Sequence, residues 1–174
     1  MPSQMPAQLK TYVAWKFNSV LPGAFTRDRQ EFKGIEYPII APLPTHKRKT
    51  PALESSRLSG PYIYFVTDDQ AQVRYVGKSE EKLVLHRWVR PGYGGPTTHY
   101  WTHAIKSGGC IVNIANGLKG GHSREYTLRY VPVREIPAEV FDELGLTHMT
   151  YPTSSLEDIE MALARLVRAD WNKR

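Results

Sequence analysis

Two short runs of aromatic and β-branched residues, Tyr62-Ile63-Tyr64-Phe65-Val66 and Val73-Arg74-Tyr75-Val76, stand either side of six mainly polar residues, Thr67 to Gln72. Such runs suit the pleated, half-buried surface of a sheet, and a link this short returns the chain directly beside itself. The segment therefore predicts an antiparallel hairpin, opened by the breaker Gly60-Pro61 and closed at Gly77. Ser79-Glu80-Glu81 reads as an N-cap followed by two acids where the helix dipole favours them, predicting a helix from about Glu80 to Val89 that stops at Pro91. A second helix is expected over Thr98 to Ser107, closed by Gly108-Gly109. The glycine-rich run Gly117 to Ser123 fits no phosphate-binding loop and reads as a flexible loop. A third strand is expected over Glu125 to Val133 and a short helix over Pro137 to Leu144. In the last helix, Ser155 is the cap and Leu156, Ile159, Leu163, Leu166 and Val167 recur at helical spacing to about Asp170.

The expected class is α+β, a small antiparallel three-stranded sheet flanked by helices, with an N-terminal arm. The arm covers residues 1–58, and the domain covers 59–174 with an insertion at about 91–124. Within the arm, Gln8 to Val20 fits a short amphipathic helix or a strand, and periodicity does not choose between them. Ile35 to Ile40 is apolar but carries Pro38, which argues against a central strand.

Charge divides the chain in the same place. Residues 1–60 hold nine basic and four acidic side chains, net +5, whereas the remaining 114 residues carry only +1 of the total +6. A basic segment of this kind suits a polyanion, since neutralised phosphates release counterions. The tightest run, His46-Lys47-Arg48-Lys49, lies among prolines, although a solvated basic loop would look the same. No apolar stretch of spanning length and no signal-like segment is present, and the single cysteine, Cys110, leaves no internal disulfide and no cysteine-based zinc site. The expectation is an intracellular, cytoplasmic protein with no membrane partner.

The hairpin residues also resemble a known signature. Tyr62-Ile63-Tyr64, ten intervening residues, then Tyr75-Val76-Gly77-Lys78-Ser79 is similar to the GIY-YIG nuclease pattern, with Tyr64 and Tyr75 at the two tyrosine positions. Arg87, in the helix expected after the hairpin, matches the family's arginine. Glu160, on the last helix, and Asn172 match its glutamate and asparagine. There are departures: Tyr62 stands where the first signature glycine would be, Arg87 falls about two residues late, and Glu157 competes with Glu160.

The resemblance implies a Mg²⁺-dependent endonuclease that hydrolyses phosphodiester bonds of double-stranded DNA, with Glu160 holding one ion per active site. A hard ion is served by one carboxylate, waters and a phosphate oxygen. Tyr64 is implied as the base that activates water and Tyr75 as its support. Lys78 would favour a phenolate through its charge. Arg87 suits phosphate oxygens, with His86 beside it as a further acid, base or phosphate contact. DNA contacts are expected from Arg27, Arg29, Lys47, Arg48 and Lys49 in the arm and from Arg90 and Lys119 in the insertion. His99 and His103 share a helix face, but no third ligand accompanies them.

A compact chain with a basic arm fits a restriction-type, site-specific enzyme best, and a palindromic target would call for a homodimer on DNA. The competing readings are a binding module of the same fold without turnover and a nuclease toxin.

Overall fold

The computed structural model describes residues 4–25, 37–40, 60–80, 110–146 and 154–172. Its main sheet has four antiparallel strands, in the order β1 (Tyr12–Phe17), β6 (Tyr126–Pro132), β4 (Tyr62–Thr67), β5 (Val73–Ser79). A separate two-stranded ribbon joins β2 (Val20–Phe25) to β3 (Tyr37–Ile40). Among the described residues the helices are α1 (Cys110–Lys119), α2 (Ala138–Glu143) and α3 (Leu156–Leu166), with one turn of 3₁₀ helix at Val133–Glu135. No helix among the described residues is long and apolar enough to cross a membrane.

The α+β class with an antiparallel sheet is as expected, but the sheet has four strands and not three. The additional strand comes from the arm: Tyr12–Phe17 pairs with β6, with a bulge between Val13 and Trp15. This settles the choice left open for Gln8 to Val20 in favour of a strand. The bulge explains why period-two alternation was hard to see there, since one unpaired residue shifts every following side chain to the other face. The segment with Pro38 stays out of the main sheet, as a strand lacking that N–H should.

β4 is hydrogen-bonded on both sides and all six of its residues are buried, so its alternation serves two cores. One face of the sheet carries Tyr62, Tyr64, Val66, Tyr126, Leu128 and Tyr130, packed with Cys110, Val112, Ile114 and Ala115 of α1. The other carries Ile63, Phe65, Val73, Val76 and Val131, covered by Val140 and Phe141 of α2 and Leu156, Ile159 and Leu163 of α3. Burial pushes the phenols of Tyr62 and Tyr130 up to about 12, so both stay protonated throughout the physiological range. Their rings meet edge to face at 5.5 Å.

Three local expectations are corrected. β5 does not stop at Gly77: Gly77, Lys78 and Ser79 continue the ladder opposite Tyr64, Ile63 and Tyr62. Ser79 is therefore a buried strand residue and not an N-cap. Gly77 looked like punctuation because glycine usually marks a turn, whereas here it clears space for a ring lying across it. The run from Gly117 is not a loop at its start, because Gly117, Leu118 and Lys119 form the last turn of α1. That helix ends where Gly121 takes a positive φ and the N–H groups of His122 and Gly121 bond the carbonyls of Gly117 and Leu118. Finally, α3 ends at Leu166 and not near Asp170. Arg168 adopts φ 51° there, and the N–H groups of Ala169 and Arg168 return to the carbonyls of Ala164 and Arg165. The cap at the other end is as expected, with Ser155 Oγ accepting the N–H of Asp158. The helices expected over 80–89 and 98–107 lie outside the described residues apart from Glu80, which follows β5 without being helical.

Candidate active site

The hairpin positions the first part of the site. Tyr64 in β4 and Tyr75 in β5 lie on the same face, and their ring centroids are 6.1 Å apart. Tyr64 is only 2% exposed, whereas Tyr75 is half-buried. The Tyr64 ring lies over Gly77, its register partner on β5: a Cβ added at Gly77 would fall 2.5 Å from the phenolic oxygen. The absence of a side chain there lets the Tyr64 hydroxyl reach across β5 toward the sheet edge.

The turn of this hairpin is tied down by one aspartate. Asp68 Oδ1 accepts the N–H groups of Gln70 and Gln72, and its Oδ2 accepts Arg74 Nε at 2.8 Å. Arg74 also pairs with Asp170 at 3.1 Å, which holds the segment after α3 against the hairpin. These contacts fix the pitch at which β5 offers Tyr75.

The last described residues close the outer edge of β5. Trp171 donates its N–H to the Arg74 carbonyl at 2.9 Å. The Asn172 side chain then imitates a strand: Oδ1 accepts the Val76 N–H at 2.7 Å and Nδ2 donates to the Val76 carbonyl at 2.6 Å. Ala169 packs in the aliphatic core beside α3, whereas Trp171 packs on the tyrosine face, 5.2 Å from the Tyr126 ring. The chain thus passes around β5 from one face to the other. Asn172→Ala is expected to cost about 1–3 kcal/mol by leaving the Val76 groups without these bonds. Asn172→Asp should cost at least as much, because a carboxylate oxygen would face the Val76 carbonyl. Thermal unfolding of the two variants measures both.

Glu160, on α3, is 7% exposed. One of its carboxylate oxygens, Oε2, is buried with no hydrogen bond to it among the described residues, although the side chain interacts elsewhere. Glu160 and Asn172 share a cavity of about 330 Å³ whose other walls are Met161, Ala164, Arg165 and Ala169. Glu157, the competing glutamate, is exposed and pairs with Lys78 at 3.6 Å. Lys78 therefore lies on the α3 side of β5, on the opposite face from Tyr64 and Tyr75, and its charge is directed at Glu157.

The structure thus groups the expected residues in two sets, the tyrosine pair on one face and Glu160 with Asn172 around a cavity. Asn172 joins them through the Val76 backbone, one residue from Tyr75. Among the described residues no three or more His, Cys, Asp or Glu side chains gather as a metal cluster. Lys119 is exposed in the last turn of α1. Arg87, His86, Arg90, Arg27, Arg29, Lys47, Arg48 and Lys49, with the pair His99 and His103, lie outside the described residues. Sequence reasoning passed over Arg165. It is one turn beyond Met161 on the helix already singled out for Glu160, and that spacing was the available signal. Comparison with protein-family models, curated proteins and solved structures finds no match to this chain.

Proposed function

We propose that this chain is a Mg²⁺-dependent endonuclease of GIY-YIG type that cuts double-stranded DNA at specific sites, as a restriction enzyme does. The observation that carries the reading is the placement of Tyr64 and Tyr75 side by side on adjacent strands, with Gly77 under the Tyr64 ring. The signature spacing implies that pairing. The net charge of +6 agrees with a polyanionic substrate.

In this reading Tyr64, as its phenolate, takes the proton from the attacking water and becomes the neutral phenol, and Tyr75 holds its orientation. A phenol with an ordinary pKa of about 10 needs help to act as a base. Lys78, turned toward Glu157, is not the source of that help. The residues fit a hard divalent cation in the simplest way: Glu160 offers an oxygen donor beside a cavity with room for waters and a phosphate. Bound there, Mg²⁺ would supply a Lewis acid for the charge that develops on the phosphoryl oxygens. Asn172 keeps the Val76 backbone, and with it Tyr75, in place. Arg87 remains assigned to the substrate phosphate, and a homodimer would cut both strands of a palindromic site.

Plasmid cleavage tests the proposal. Wild-type protein with Mg²⁺ is expected to yield discrete fragments, and chelation by EDTA to abolish them. Intact plasmid across several divalent metals, accompanied by a shift in mobility, would replace the enzyme with a binding module of the same fold. A smear of random fragments would overturn site specificity.

A further inference from the structure

The cavity beside Glu160 contains one cation that the nuclease reading leaves unused. Arg165 lies in the last turn of α3, exposed, and forms part of the same cavity wall as Glu160 and Asn172. Its guanidinium makes no ion pair or side-chain hydrogen bond among the described residues. Three basic side chains on the sheet are committed: Arg74 to Asp68 and Asp170, Lys78 to Glu157, Lys16 to Glu125. A guanidinium beside a cavity has five N–H donors in a fixed fork, a set that suits the oxygens of a ligand anion.

The remaining walls say which anion. Met161, Ala164 and Ala169 are apolar, and the two alanines leave the hollow between α3 and the turn that follows it. The buried carboxylate of Glu160 would repel a free anion unless a cation covers it. With a divalent cation on Glu160, one phosphodiester there balances the charge, and Arg165 is then surplus positive charge facing the continuation of the strand. Five residues along an α-helix advance about 7.5 Å, and a DNA strand rises about 3.4 Å per nucleotide. The axial offset of Glu160 and Arg165 along α3 is therefore about two nucleotide rises.

We infer that Arg165 binds a backbone phosphate of the cleaved strand one or two nucleotides from the scissile bond, through paired N–H donors on the non-bridging oxygens. This deepens the nuclease proposal and rests on it. The contact is made equally in the ground and transition states, so it sets how tightly and in what register DNA is held. It does not assist the bond-breaking step itself.

The test is binding of a short fluorescent duplex, followed by anisotropy in Ca²⁺ to suppress cleavage, over salt concentrations from about 50 to about 200 mM. Wild type is compared with Arg165→Ala, Arg165→Lys and a control, Lys16→Ala, whose site on β1 lies at the opposite edge of the sheet from β5. Arg165→Ala is expected to bind about five- to tenfold more weakly at low salt, with the slope of log K against log salt reduced by about one. Arg165→Lys should keep the slope while losing part of the affinity, since a point charge replaces a paired donor set. In plasmid cleavage, Arg165→Ala should raise KM with kcat nearly unchanged. If Arg165→Ala matches wild type and Lys16→Ala in slope and affinity while wild type binds steeply, the inference fails and the nuclease proposal stands. Wild type that binds DNA without salt dependence, or not at all, removes both.

Discussion

Glu160→Gln is expected to lower Mg²⁺-dependent plasmid cleavage by at least about 10³-fold while the protein stays folded. The amide has nearly the shape and volume of the carboxylate, so the packing of α3 on the sheet is kept and the unfolding midpoint should move by no more than a few degrees. What the amide lacks is the negative charge that makes an oxygen a worthwhile ligand for a hard cation. Two readouts separate this role from a structural one. Raising the Mg²⁺ concentration should shift the wild-type melting temperature upward and leave the variant unmoved, because a ligand stabilises only the state that binds it. DNA affinity in the absence of metal should be preserved. Cleavage by Glu160→Gln at the wild-type rate would move the cation site elsewhere on the chain. Glu157→Gln should stay active, since that carboxylate is engaged with Lys78 at the surface.

The second large effect concerns packing. Gly77→Val is expected to destabilise the protein by about 3 kcal/mol or more, and Gly77→Ala by about 1–3 kcal/mol, measured by denaturant unfolding. Even a single Cβ would meet the Tyr64 ring well inside contact distance. That ring cannot swing clear at little cost, because Tyr64 is buried in the tyrosine-rich core. The backbone of Gly77 is equally fixed, with Tyr64 opposite it in the ladder and Val76 held by Asn172. Any alanine variant that folds should lose cleavage more than its stability loss explains, since the ring must shift relative to Tyr75. Wild-type stability and activity in Gly77→Ala would show that the close approach is dispensable.

What was legible in the sequence follows from how locally each feature is encoded. The hairpin is written in adjacent residues: β-branched runs, a polar turn and two tyrosines at fixed spacing. The cap at Ser155 is likewise a matter of three residues. The role of Gly77 was misread because its reason lies on another strand, in the Tyr64 ring. Gly117 misled in the same way: within α1 it accommodates the ring of Tyr126, yet together with Gly120 and Gly121 it has the composition of a loop. β1 was ambiguous because its partner, β6, is more than 100 residues away and its own pattern is broken by a bulge. Asn172 was found only through the resemblance, and its grip on Val76, 96 residues distant, has no local trace at all. Lys78 shows the limit of adjacency as an argument, since successive residues on a strand point to opposite faces.

The clasp of Trp171 and Asn172 on β5 also has a consequence in time. A ribosome releases the hairpin, with both tyrosines, roughly a hundred residues before it releases the segment that secures its outer edge. Until then the Arg74 carbonyl and the Val76 N–H and C=O lack these partners, and for most of that interval Glu160 has not yet been synthesised. The nascent chain therefore passes through a long interval in which the tyrosine pair is present without its carboxylate. In the proposed mechanism cutting power arises only with the last helix and the turn behind it, so an interrupted product is expected to be inert toward DNA.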